Sequence, residues 1–87
     1  MIVQILYNRG TAAERDMAGL AAQLAAAKVT CELLDADSPA GISVAEHYDV
    51  LARPAILLVR HDGTLDEMWT ELDRFPSVDT LRYRASA

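Results

Sequence analysis

Pro54 followed by Ala55-Ile56-Leu57-Leu58-Val59 constrains the fold more than any other stretch, because the run is apolar without a polar interruption. A strand with one wet face alternates apolar and polar residues, so this run predicts a strand covered on both faces, with proline tolerated only at its entry. Covering both faces of a sheet requires helices on both sides, and the rest of the chain has to supply them. Just beyond, His61-Asp62-Gly63-Thr64 carries the Asp-Gly hairpin signal. Residues 65–69 should therefore return antiparallel as an edge strand, with Asp66 and Glu67 protecting the edge from aggregation.

Upstream, Ile2-Val3-Gln4-Ile5-Leu6-Tyr7 is β-branched and aromatic, ends at Asn8-Arg9-Gly10, and reads as a largely buried strand. Thr11-Ala12-Ala13-Glu14 has capping-box spacing, in which the Thr11 hydroxyl accepts from the Glu14 N–H and the Glu14 side chain reaches back. Met17, Leu20, Ala21, Leu24 and Ala27 or Lys28 then recur at helical spacing, which predicts a helix over 11–28. In 29–34, Val29, Cys31 and Leu33 share one face of a second strand, giving a parallel strand–helix–strand unit with a right-handed crossover. Turn formers fill 35–41. A second capping box, Ser43-Val44-Ala45-Glu46, predicts a short helix ending between 49 and 52. Pro76-Ser77, then Val78, Leu81 and Ala85, predict a closing helix. The expected order is βαβαββα: one α/β domain over 1–87, a central four-stranded mixed sheet flanked by helices.

With 8 Lys+Arg against 13 Asp+Glu, the net charge of −5 has the wrong sign for counterion release, so nucleic acid and anionic membrane are not expected partners. No apolar stretch approaches the roughly 18 residues needed to span a bilayer. A single cysteine, Cys31, excludes an intramolecular disulfide, and the opening apolar run is short and lacks a basic lead, so no signal peptide is expected. The cytoplasm is the expected compartment.

The segment from Tyr48 through Val50, Arg53-Pro54 and the apolar strand to Asp62-Gly63 resembles the thioredoxin stretch of Tyr, x, Val, three residues, Pro, apolar strand and Gly turn. The N-terminal half, a strand through Tyr7 with a short step to the helix start, is similar to glutaredoxins. The chain is thereby identified as a thioredoxin-like superfamily member, of glutaredoxin size, along nearly its whole length. The resemblance implies a cis-proline at Pro54 facing the start of the first helix, where the family keeps its CxxC motif. Carried over by position, the two cysteines fall on Thr11 and Glu14. A helix N-terminus lowers the pKa of a thiol into a useful range, but a Thr hydroxyl titrates far too high for the same effect to make it a nucleophile. Disulfide exchange of the family type is therefore not expected here.

The remaining candidates are weighed against their plainest readings. Thr11 and Glu14 are explained as a cap. Alternatively, the N–H groups of Ala12 and Ala13, with Arg9 and Arg53, could hold a carboxylate or phosphate, although Glu14 places a negative charge in the same turn. Cys31 reads as a buried, inert thiol. His47 and His61 make no metal spacing with Cys31, so neither metal nor cofactor is expected. The carboxylates Asp35, Asp37, Asp66, Glu67, Glu71 and Asp73 read as solubilising, and Trp69 as half-buried packing or a peptide anchor. Ala18, Ala22, Ala25 and Ala26 suggest a small-residue face for the closing helix or a weak homodimer. The favoured reading is a redox-inactive binding or adaptor module for a protein or peptide, working through Asn8, Arg9, Gly10, Thr11, Arg53, Pro54 and Trp69. The competing reading is a thiol-dependent or glutathione-binding oxidoreductase-type protein using Cys31 or the Thr11/Pro54 site. A structural subunit of a larger complex is the third.

Overall fold

The elements follow one another as β1 (Ile2–Tyr7), α1 (Ala13–Ala26), β2 (Cys31–Asp35), α2 (Pro39–His47), β3 (Ala55–Val59), β4 (Leu65–Trp69), a 3-10 turn (Leu72–Arg74) and α3 (Val78–Ser86). The structure, a computed structural model, describes residues 1–86. The four strands form one mixed sheet in the order β2-β1-β3-β4, with β1 parallel to β2 and antiparallel to β3, and β3 antiparallel to β4.

β3 is covered on both sides, as its sequence demands: Ala55, Ile56, Leu57 and Leu58 expose none of their surface. Successive side chains point to opposite faces, so the strand feeds two cores. Ile56 and Leu58, paired with Ile5 and Val3 of β1, join Met17 and Leu24 of α1 and Leu81 of α3. Ala55, Leu57 and Val59 join Leu6, Val50 and Ala45 of α2. Helices α1 and α3 therefore cover one face and α2 the other. Because α2 is short, Tyr48 extends its cover; the ring packs on the second core and the hydroxyl donates to the Gly63 carbonyl at 2.5 Å.

The structure corrects four local expectations. Thr11 does not cap α1. Its hydroxyl donates backwards to the Asn8 carbonyl at 2.6 Å, and Ala12 stands at the N-cap without a side-chain bond. Ser43 lies inside α2, which starts one turn earlier. Ser38 is the N-cap, its Oγ accepting from the Gly41 N–H, and Pro39 takes the first helical position, where a missing N–H costs nothing. Val29 lies in the turn before β2. Lys28 adopts φ 63°, and the N–H groups of Lys28 and Val29 bond the Ala25 and Leu24 carbonyls. This is the paired closure that normally uses glycine at the left-handed position, here occupied by lysine. Finally, Ala18, Ala22, Ala25 and Ala26 face solvent and do not receive α3.

Asp66 and Glu67 do more than solubilise an edge. Arg84 of α3 donates to Glu67 Oε1 and Asp66 Oδ2, each at 2.7 Å, and its guanidinium lies 5.9 Å from the Trp69 ring centre. Arg60 takes the other oxygen of Asp66. The closing helix is thus pinned to the edge strand by a shared pair of carboxylates.

Two backbone positions yield predictions. Lys28→Gly relieves a left-handed conformation without removing a packed side chain and should raise stability by about 1 kcal/mol in urea denaturation. Gly41 has the opposite character, since a Cβ there would run into the Asp35 carbonyl. Gly41→Ala should lower stability by about 1–3 kcal/mol in the same measurement, because a backbone group has to move.

Candidate functional site

One end of the sheet gathers most of the residues that the sequence singles out. The carboxyl ends of the parallel strands β1 and β2 lie there, at Tyr7 and Asp35, and antiparallel pairing brings the start of β3 and the end of β4 to the same level. In open α/β sheets this is where connecting loops leave the sheet and clefts form. Residues 8–12 cross from β1 to α1 here, turning at Gly10 with φ 79°. Pro54 enters β3 beside them; its peptide bond to Arg53 is cis, and the ring is buried.

The sheet nevertheless divides the expected surface. Trp69 pairs with Ile56 and packs into the core on the α1 and α3 side. Arg53 turns to the α2 side, where its Nη1 donates to the Val50 carbonyl at 3.4 Å. Arg9 is engaged separately, its Nε 3.3 Å from Asp35 Oδ2, so it does not join Arg53 in a shared anion cradle. Asn8, Gly10 and Thr11 form the rim between them. Asn8 is half-buried, and Gly10 and Thr11 are exposed.

Arg53 lines a hollow of about 320 Å³ together with Ile42, Ala45 and Glu46 of α2 and Asp49, Val50 and Leu51 of the following loop. Leu51 leaves 91% of its surface exposed and Ile42 45%. Arg53 Nε is enclosed without an acceptor among the described residues, an arrangement that costs about 1–3 kcal/mol unless a partner or water meets the guanidinium. The one residue of this hollow that the sequence singles out for a site is Arg53; Leu51 sits in a largely apolar connection, Val50-Leu51-Ala52, in which its exposure leaves no mark. Glu46 and Asp49 gave no signal, since each suits an ordinary solvated helix end, and Ile42 lies within α2, where an apolar residue reads as core.

Cys31 lies elsewhere. It pairs with Val3, four residues along β1 from Tyr7, or roughly 13 Å from the loop-bearing end at about 3.3 Å per residue. The thiol is half-buried rather than fully enclosed, and burial, reinforced by the Glu32 carboxylate, pushes its pKa up to about 11. Neither factor makes a nucleophile, for the thiolate is the reactive form. His47 stands edge-on to Tyr48, and His61 Nε2 accepts from the Met1 amino group at 2.9 Å. No group of three His, Cys, Asp or Glu side chains suited to a metal ion occurs among the described residues. Among them, too, no helix is long and apolar enough to cross a membrane.

No family model and no curated protein matches the chain. A solved structure described as "Structure of a malarial protein" is similar to it at a TM-score of 0.71 and 17% identity, over 99% of this chain and 97% of that one. Likeness at that identity is a likeness of fold.

The raised Cys31 pKa fixes a reactivity and a pH dependence. At pH 8 the folded thiol should alkylate with iodoacetamide about a hundredfold more slowly than the urea-unfolded chain, since two pKa units separate the thiolate fractions. The folded state holds this proton more firmly, so the contribution to stability is full below the ordinary value of 9.0 and is lost as pH rises towards about 11. Urea midpoints measured from pH 8 to 11 should fall less in Cys31→Ser than in the parent chain.

Proposed function

We propose that the chain is a thioredoxin-like domain without thiol–disulfide activity, serving as a binding or adaptor module for a peptide or protein segment. The observation that carries this reading is the separation between the one thiol and the loop-bearing end of the sheet. The βαβαββα order and the strand order β2-β1-β3-β4 support the architecture, with the Asn8–Thr11 loop and Pro54 side by side where the resemblance locates the family's chemistry. At that place the chain has Thr11 and Glu14. The Thr11 hydroxyl donates to the Asn8 carbonyl, and an alcohol titrates too high to act as the family's thiolate does.

A domain that keeps a cleft and lacks the chemistry retains binding. The exposed rim of residues 9–12 and the hollow lined by the partly bonded Arg53 provide donors and apolar surface for an extended segment. A protein of net charge −5 selects against acidic partners at long range.

Three measurements test the proposal. Insulin reduction with dithiothreitol should proceed at the background rate, with Cys31→Ser indistinguishable from the parent. NMR titration with glutathione should leave the spectrum unchanged, whereas short extended peptides should move amides in the Asn8–Thr11 loop or around Arg53. Turnover that disappears in Cys31→Ser would overturn the reading in favour of a thiol enzyme.

A further inference from the structure

The hollow beside Arg53 carries more information than a general cleft, because its parts differ in chemistry. Its lining includes two exposed apolar side chains, Ile42 and Leu51, and two buried ones, Ala45 and Val50. Leu51 holds 91% of its surface in water at the end of a turn that puts Asp49 at φ 55°, so the loop presents a large apolar side chain outward instead of folding it in. At the rim stand the carboxylates of Glu46 and Asp49, both exposed, and neither has an ion-pair partner among the described residues. Asp35, Asp66, Glu67, Glu71 and Asp79 are paired with arginines, whereas Glu46 and Asp49 belong to the acids that are not, and they are the two that line this hollow. Arg53 does not neutralise Glu46 or Asp49 despite lining the same space. Its guanidinium makes one 3.4 Å bond to the Val50 carbonyl, and Nε has no acceptor, so most of its donors are unused.

An apolar slot, an acidic rim and an underused guanidinium together specify an occupant. We propose that this hollow docks a partner polypeptide through a large apolar side chain followed by lysine or arginine, a proposal that rests on the binding-module reading above. The apolar side chain enters the hollow and covers Ile42 and Leu51. The neighbouring cation meets Glu46 and Asp49, whose charges are otherwise unmatched. A main-chain carbonyl of the partner accepts from Arg53, for which a rotation of the side chain suffices. A volume of about 320 Å³ lies at the lower edge of the roughly 300–1,000 Å³ of small-molecule pockets, and suits a pair of side chains better than a cofactor. The overall charge of −5 steers the same class of partner towards the surface.

The test is ¹H–¹⁵N NMR on the full chain with two blocked tetrapeptides, Ala-Leu-Lys-Ala and Ala-Leu-Glu-Ala. The lysine peptide should shift the amides of Ile42, Glu46, Leu51 and Arg53, and the glutamate peptide should bind about tenfold more weakly, as expected for like charge facing a shared rim. Leu51→Ser, a change at an exposed position that leaves the fold intact, should weaken the lysine peptide by about tenfold. Replacing Glu46→Gln and Asp49→Asn together should erase the preference between the two peptides. Equal binding of both peptides to the parent chain would overturn the proposal. So would shifts confined to the Asn8–Thr11 loop and Trp69, an outcome that leaves the binding-module reading standing and moves its site. Concentration-dependent shifts at Ile42 and Leu51 without peptide would also overturn it, by making a second copy the occupant.

Discussion

The structure depends on the double burial of β3. A strand whose five side chains are all hydrophobic cannot leave either face wet, and fully burying each Ile, Leu or Val contributes about 1.5–3 kcal/mol. Two separate cores follow, because alternate residues of one strand have to be met from opposite sides. Helices α1 and α3 share one core, while the short α2 needs Val50 and the Tyr48 ring to complete the other. The polar economy of the fold follows from this arrangement. With the centre committed to packing, charged side chains are confined to the margins, where Arg84 joins α3 to β4 across Asp66 and Glu67.

The same geometry decides how the loop-bearing end is used. Because β3 enters at Pro54 in the middle of the sheet, the residues before and beside it separate by parity. Trp69 goes with Ile56 to the α1 side, and Arg53 goes to the α2 side. A binding surface assembled from sequence neighbours of the proline is therefore two surfaces back to back, joined only over the rim at residues 8–12. The half with Trp69 is occupied by packing and by Arg84, whereas the half with Arg53 retains unmatched donors and apolar wall.

Three strands were legible in the sequence from alternating or continuous apolar runs, and β4 followed from the turn at Asp62-Gly63, which was written in its residues. Gly63 adopts φ 89°, and Asp62 accepts from the Thr64 amide and hydroxyl to close the turn. Helix starts were less legible, for two reasons that the structure separates. At α2 the true signal, Ser38 before Pro39, was present, but a competing Ser-x-x-Glu pattern one turn later looked stronger. At α1 the Thr-x-x-Glu pattern was genuine in spacing and false in function, since a hydroxyl can donate to the carbonyl three residues back as well as accept from the amide ahead. The end of α1 was read to within two residues from its apolar periodicity, although lysine occupies the position where glycine would have announced the closure. The candidate site was half legible: Arg53 and Pro54 stood out, while Ile42, Glu46 and Asp49 meet Arg53 only through the packing of α2 beside the loop.

The hydrogen bond from Tyr48 to Gly63 ties the connection before β3 to the turn after it. The chain between these residues is in effect a lariat drawn around the central strand, with a single phenolic hydroxyl as its knot. A force or ligand that displaces the segment leading into Pro54 has to drag the β3–β4 turn with it or loosen that knot. The two ends of β3 are therefore joined twice, once through the strand itself and once through this phenolic hydroxyl.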